Sequence, residues 1–335
     1  MNRPPLAIAL LAALLSCDGA DDTGDTQAPA VAPSWAVIHD GLSGAVLSVG
    51  GTSSSDIWLA GADPGDGGGP VAMHFDGASW TDLDPGVSGS LWWVDGTGSE
   101  SVWFCGDDGL LLRFDRDSAS FEQISTDTDA TLFGVWAAPD GPVYAVGGIV
   151  ETEDSAVILR VSDGVATAVT DLPSGLDAAE LWFKPWGTAA DDVWVIGDRG
   201  TVLHFDGAAW SRQVFPDSPR LVTLSGAGTD DMVVVGGTTQ GVIYERADGP
   251  WGDASPAGVA PLNGVFVASD GTAAAVGMSS AVLVRESGTW RTLTNPPVLG
   301  DWHGAWIDER GSVYAAGGDF INLRDGALVR YGVSE

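Results

Sequence analysis

Apart from carboxylates, groups capable of acid–base, nucleophilic or metal chemistry are scarce in this 335-residue chain. Lys184 is its single lysine, beside thirteen arginines. Its histidines are His39, His74, His204 and His303. None is spaced as His-x-His or His-Glu-x-x-His, patterns that bring two imidazoles to one zinc ion. The cysteines, Cys17 and Cys105, are too few for a disulfide framework. No phosphate loop, nucleophile elbow or dinucleotide fingerprint is present, so no catalytic residue and no metal site is assigned. Paired acids such as Asp191-Asp192 and Asp230-Asp231 read as turn residues, since Asp bonds nearby backbone N–H groups. No cofactor is expected. The one hint of a cation is Ca²⁺ at the loop DPGDGGG (63–69), which is short of the oxygen ligands a calcium loop supplies.

Charge excludes whole classes of function. There are 46 acidic against 14 basic residues, a net charge of −32. Such a surface repels nucleic acid and anionic headgroups, which attract Lys and Arg.

The first residues read as an address. MNRPPLAIALLAALLSC (1–17) has a basic start at Arg3 and an apolar run from Leu6 to Leu15. That run is shorter than the ~20 residues needed to span a bilayer. Its end, Leu14-Leu15-Ser16-Cys17, resembles the bacterial lipobox, with Leu15 a less common choice. The resemblance implies cleavage before Cys17 and lipidation of its thiol, a stable anchor when several acyl chains insert. DGADDTGDTQAPAVAP (18–33) is acidic, rich in Pro, Ala and Thr, and reads as a disordered tether. The expected location is the cell envelope, at the outer membrane or the periplasmic face of the inner membrane.

Residues 34–335 carry a repeat. A strand-like segment ending in glycine recurs as DIWLAG, SVWFCG, PVYAVG, DVWVIG, DMVVVG, TAAAVG and SVYAAG, with final glycines at 61, 106, 147, 197, 236, 277 and 317. Their spacing, 45, 41, 50, 39, 41 and 40 residues, matches propeller blades of about 40–50 residues. Each unit has four apolar runs, a to d. In the fourth these are LWFKPWG (181–187), DVWVIG, TVLHFDG (201–207) and AAWSRQVF (208–215), with Asp206-Gly207 as a hairpin turn between c and d. Four short strands, apolar on both faces, cannot bury themselves alone; radial stacking of seven such sheets does so. The seventh unit lacks strand d, and SWAVIHD (34–40) has the pattern of the missing piece, with Trp35 in the place of Trp80 and Trp290. The expected fold is all-β: a seven-bladed β-propeller with four-stranded blades, closed by an N-terminal strand. Within it, Trp58, Trp103, Tyr144, Trp194 and Tyr314 share one core position. Cys105 aligns with apolar residues and reads as a buried small hydrophobe.

The glycine after an apolar strand, followed by a turn and a late tryptophan, resembles kelch repeats. The Asp-Gly-x-x-Trp hairpin looks like a shortened Asp-box of sialidase-type propellers. Both resemblances imply the fold and leave function open, because propellers host unrelated activities. The sialidase reading finds no arginine cluster and no spare tyrosine here.

In propellers the d–a and b–c loops surround one mouth of the central channel. Three b–c loops read as long: 62–70, 148–155 and 318–326. Strand a lines the channel, and its larger side chains near that mouth are Trp92, Trp182, Lys184, Asn263, Trp302 and His303, the candidate ligand-binding residues. The expected function is a non-catalytic binding or scaffold lipoprotein, a monomer with a protein or glycan ligand. The alternatives are a lectin-like propeller and a glycoside hydrolase of sialidase-like architecture.

Overall fold

The computed structural model describes residues 32–333 except Thr97, Ser99, Asp140, Ala179, Ser218 and Asp248. The signal segment 1–17 and all but the last two residues of the 18–33 tether lie outside the described residues.

Seven antiparallel four-stranded sheets follow one another along the chain. Blades 1 to 6 each take four consecutive strands. Their innermost strands, a, are Val46–Ser53, Leu91–Asp95, Thr131–Ala137, Trp182–Ala189, Leu221–Gly228 and Leu262–Val267. Blade 7 is Asp301–Ile307, Val313–Asp319 and Arg324–Gly332, completed on its outer edge by Ser34–Gly44. The ring is therefore closed by the N-terminal strand. That strand is longer than the expected 34–40: pairing runs from Ser34↔Gly332 to Gly44↔Arg324, with bulges around His39. GLSG (41–44) continues the ladder and leads directly into blade 1. Trp35 faces Tyr331, as Trp80 faces Phe75 and Trp210 faces Phe205. Its indole N–H donates to Thr294 O at 2.9 Å and it is half-buried.

The repeat glycine has a steric cause. A Cβ at Gly61, Gly106, Gly147, Gly197, Gly236, Gly277 or Gly317 would lie 1.9–2.3 Å from the carbonyl oxygen of the residue entering strand a. Only a hydrogen fits there. Just beyond, every blade skips one residue of strand a in its pairing with strand b. Each skip is a β-bulge, which re-aims a side chain and twists the strand.

The shared aromatic position is core: Trp58, Trp103, Tyr144, Trp194 and Tyr314 are all buried between blades. Two blades add a polar brace. His74 stacks on Trp58 at 3.9 Å and reaches Asp56 at 2.7 Å; His204 stacks on Trp194 at 3.9 Å and reaches Asp192 at 2.8 Å. The same carboxylates accept the indole N–H groups of Trp58 and Trp194. Asp192 and Asp231 thus open strand b and bond side chains, rather than sitting in the turn before it; Asp231 pairs with Arg285 of the next blade at 2.6 Å. Burial alone would push Asp56 up, but hydrogen bonds from Arg116, Thr52 and His74 outweigh it and hold the carboxyl at about 2. Trp251 stands one residue ahead of a strand d only two residues long.

Candidate functional site

The seven bulges place one side chain per blade around one mouth of the channel: Leu47, Trp92, Phe133, Phe183, Val222, Asn263 and His303. Because the bulge recurs at one position, its seven side chains form a ring, and they are the variable part of an otherwise repetitive strand. Leu47 is fully buried beneath Trp92 and Phe320. The other six line a cavity of about 620 Å³ together with Lys184, Arg220, Met278 and loop residues such as Val150 and Thr238. That volume lies in the range of small-molecule sites, about 300–1,000 Å³.

Half of the ring is aromatic and continuous. His303 lies 6.0 Å from Trp92, Trp92 lies 5.5 Å from Phe133, and Phe133 lies 5.4 Å from Phe183, all at steep angles. The Arg220 guanidinium sits 5.8 Å from the centre of Phe183. Asp107 fixes the Trp92 indole by accepting its N–H at 2.7 Å.

Hydrogen bonds at the mouth follow from the bulges, which leave main-chain carbonyls outside the ladder. The His303 Nδ1–H donates to Leu47 O at 2.5 Å, which leaves Nε2 as the acceptor nitrogen. Asn263 Nδ2 donates to Trp302 O at 2.9 Å, and Thr223 Oγ1 donates to Asn263 O at 2.5 Å. Lys184 Nζ donates to Phe133 O and lies 4.1 Å above the centre of the Trp93 ring. Burial pushes Lys184 down to about 7. Burial, and then the Lys184 charge, push His303 down to about 3, so its imidazole is neutral.

Four of the six sequence-predicted site residues meet here: Trp92, Lys184, Asn263 and His303. Trp182 and Trp302 do not. They stand one residue before the bulge, pair with Gly197 and Gly317, and are fully buried between blades. A bulge reverses the alternation of faces locally, and period-2 reading across it puts the wrong member of each pair in the channel. Phe133, Phe183 and Val222 were missed for the same reason; Arg220, which lies one residue ahead of its strand, carries no repeat signal. Aligning the residue after the one facing the repeat glycine would have found the first three.

Of the three loops expected to be long, 318–326 is mostly strand: Asp319 pairs with Arg324 around a turn whose Phe320 ring lies 5.5 Å from His303. In 62–70, Asp63 and Asp66 accept N–H bonds from Gly65, Gly89 and Gly68. These carboxylates shape the loop, and among the described residues no group of three or more His, Cys, Asp or Glu is placed to hold a metal. Cys105 is fully buried, and burial pushes its thiol up to about 12, the reverse of an activated nucleophile.

No family model matches the sequence, and no curated protein matches it. Solved structures do. The WD40 repeats of RRP9 match with a TM-score of 0.69 at 14% identity, over 90% of this chain and 99% of that one. The fold is a seven-bladed, WD40-like β-propeller. The β-propeller domain of Cps50 (Swd1) from Myceliophteria thermophila gives 0.67 at 13%, over 90% and 100%. YCF48 bound to D1 peptide gives 0.65 at 14%, over 91% and 100%. At such identities the likeness is one of fold.

Proposed function

We propose that this chain is a non-catalytic binding protein of the bacterial cell envelope, anchored through Cys17, that holds its ligand at the channel mouth ringed by the bulged side chains. The observation that carries the reading is the ring itself: one strand position, extruded in all seven blades, is filled with unlike side chains around a cavity of about 620 Å³. Residues serving only the fold repeat from blade to blade; these do not. Two of the similar structures are WD40 repeats or propeller domains and one is peptide-bound, which fits a binding role.

Catalysis finds little support. Most glycoside hydrolases use a pair of carboxyl groups flanking the bond, and sialidases use a tyrosine nucleophile with acidic partners; among the described residues lining the mouth cavity there is no Asp, Glu or Tyr. A glycan fits less well than other ligands, because the aromatic rings pack edge to face on one another instead of presenting an open flat face. Membrane attachment rests on the lipobox-like end of residues 1–17. In a Cys17→Ser variant, protein should stay unprocessed or leave the membrane fraction; continued acyl labelling would remove the anchor.

The site can be tested while its ligand is still unidentified. Libraries of peptides, glycans and small acids are screened by thermal shift against the wild-type domain, a mouth-blocked Val222→Trp variant and a variant with Ala227→Trp, a residue that lines the cavity at the opposite end of the channel. Compounds that raise the wild-type melting temperature should fail on the first variant and act on the second, without turnover. A shift that survives the mouth block, or a ligand chemically altered on incubation, would overturn the reading.

A further inference from the structure

Acidic residues outnumber basic ones by 46 to 14 in this chain. The mouth cavity inverts that balance. Its described lining includes the sole lysine, Lys184, together with Arg220 and His303, and no carboxylate. Carboxylates are near but committed elsewhere: Asp107 holds the Trp92 indole and a backbone N–H, Asp198 faces Arg220 at 3.4 Å, and Asp95, which lines the cavity at the other end of the channel that Lys184 also borders, accepts Ala137 N–H at 2.8 Å. Lys184 makes no ion pair among the described residues. When protonated, its amine rests on a carbonyl and on the face of Trp93, two partners that leave a buried cation under-compensated, so a bound anion would also favour the charged form. Around it, Trp92, Phe133, Phe183, Val222 and Met278 form an apolar wall. Opposite, His303 Nε2 is an acceptor because Nδ1 holds the proton, and the Asn263 amide nitrogen donates to Trp302 O and to the Met278 sulfur, which leaves its oxygen as an acceptor.

We propose that the mouth cavity binds a small aromatic carboxylate that carries a hydroxyl or N–H donor, its anionic end at Lys184, its ring against the aromatic wall and its donor toward His303 and Asn263. The assignment rests on the channel mouth being the ligand site and adds the ligand's chemistry. Each part has its counterpart. An anion supplies the charge Lys184 lacks, and its binding is favoured over that of a cation by the absence of any lining acid. An aromatic ring adds edge-to-face contacts to a wall already built of them. A donor answers two acceptors that would otherwise lose water unpaired. The acidic exterior screens out larger polyanions, so selectivity falls on small ligands that pass the rim.

Three compounds of one shape separate the terms: 4-hydroxyphenylacetate, 4-hydroxyphenylacetamide and tyramine, which are anionic, neutral and cationic. Their binding to the soluble domain is measured by titration calorimetry and saturation-transfer NMR, with wild type, Lys184→Met and Val222→Trp. The expected result is a preference of tenfold or more for the acid over the amide, no binding of tyramine, and loss of the acid's preference in Lys184→Met. A Lys184→Arg variant, which keeps the charge, should keep the preference. Equal binding of acid and amide in wild type, abolished by Val222→Trp, would leave the mouth as the site and overturn the anion assignment. Tighter binding of tyramine would do the same. Failure of all three on wild type would overturn the small-carboxylate inference, while the site itself stands or falls by the library screen.

Discussion

The two ends of the channel are built from the same seven strands and obey different rules. At the far end the residue two positions beyond the bulge is Val49, Val94, Val135, Pro185, Leu224, Val265 or Ala305, apolar in every blade. There the large rings pack on the glycines of the neighbouring blade. A Cβ on Gly51, Gly187 or Gly226 would come within 3.0 Å of Trp306, Trp136 or Trp186. Polar groups at that end tie blades together: Asp95 accepts Ala137 N at 2.8 Å, and Ser225 accepts Val267 N at 3.0 Å. The mouth has no such repeat. Leu, Trp, Phe, Val, Asn and His occupy one ring position. Repetition along a strand marks what every blade needs in order to stack; departure from it, at a position extruded from the ladder, marks where side chains differ and can meet a ligand, even where, as at Asn263 and His303, they also bond a carbonyl of the next blade.

Removing the closing strand should abolish both ends at once. A domain that begins at Gly41 leaves the outer edge of most of Arg324–Gly332 unpaired, and Leu328 and Val329, fully buried when closed, become accessible. An open edge invites aggregation. Its melting temperature should fall far below that of the mature chain, or the protein should aggregate; an unchanged melt would mean that Ser34–Gly44 does not seal the ring. Next in size is Trp306→Ala at the far end, buried on the glycine of blade 1. Truncating a buried aromatic costs about 3–5 kcal/mol, read by urea unfolding, and ligand binding by the folded fraction should be unaltered. A cost well below 1 kcal/mol would show the far end to be as loosely built as the mouth.

Two carboxylates outside both cavities sharpen the contrast through pH. Asp56 is held at about 2, so its contribution is present above the unfolded pKa near 4 and is lost as pH falls toward 2. Asp56→Asn should cost about 2 kcal/mol at neutral pH, and the cost should vanish near pH 2. Glu180, beside the mouth loops, has the opposite sign. It is buried, Oε1 has no partner, and burial pushes it up to about 7 against a hydrogen bond from Thr201. The folded state therefore holds its proton more tightly, and stability falls as pH rises from about 4.5 to about 7. Glu180→Gln should remove that fall, with little effect below pH 4.5. Identical pH profiles for variant and wild type would refute either assignment. The smallest effect belongs to the tether: a domain starting at Pro33 should melt with the mature chain.

The fold was legible because its signals recur. Seven glycines at propeller spacing, Asp-Gly turns and the missing last strand specify the ring, and Trp35 betrays the closure. The site was half legible. Lys184 and His303 stand out by rarity, and Asn263 aligns with His303. Trp182 and Trp302 misled because a large aromatic looks alike on either side of a bulge, and a bulge leaves no composition of its own. The polar brace of Asp56 and Asp192 escaped because an acid beginning a strand cannot be told from one ending a turn until its histidine partner is seen across the sheet.

The difference between the two ends is tested most directly by one pair of variants read twice. Trp92→Ala and Trp306→Ala are each measured for urea stability and for 4-hydroxyphenylacetate affinity. Trp92 is only partly buried and its ring lines the cavity; Trp306 is buried at the far end. The account predicts that Trp92→Ala unfolds close to wild type and binds at least tenfold more weakly, while Trp306→Ala is strongly destabilised and binds with wild-type affinity when folded. The reverse pattern, or equal losses of both quantities in both variants, would contradict it.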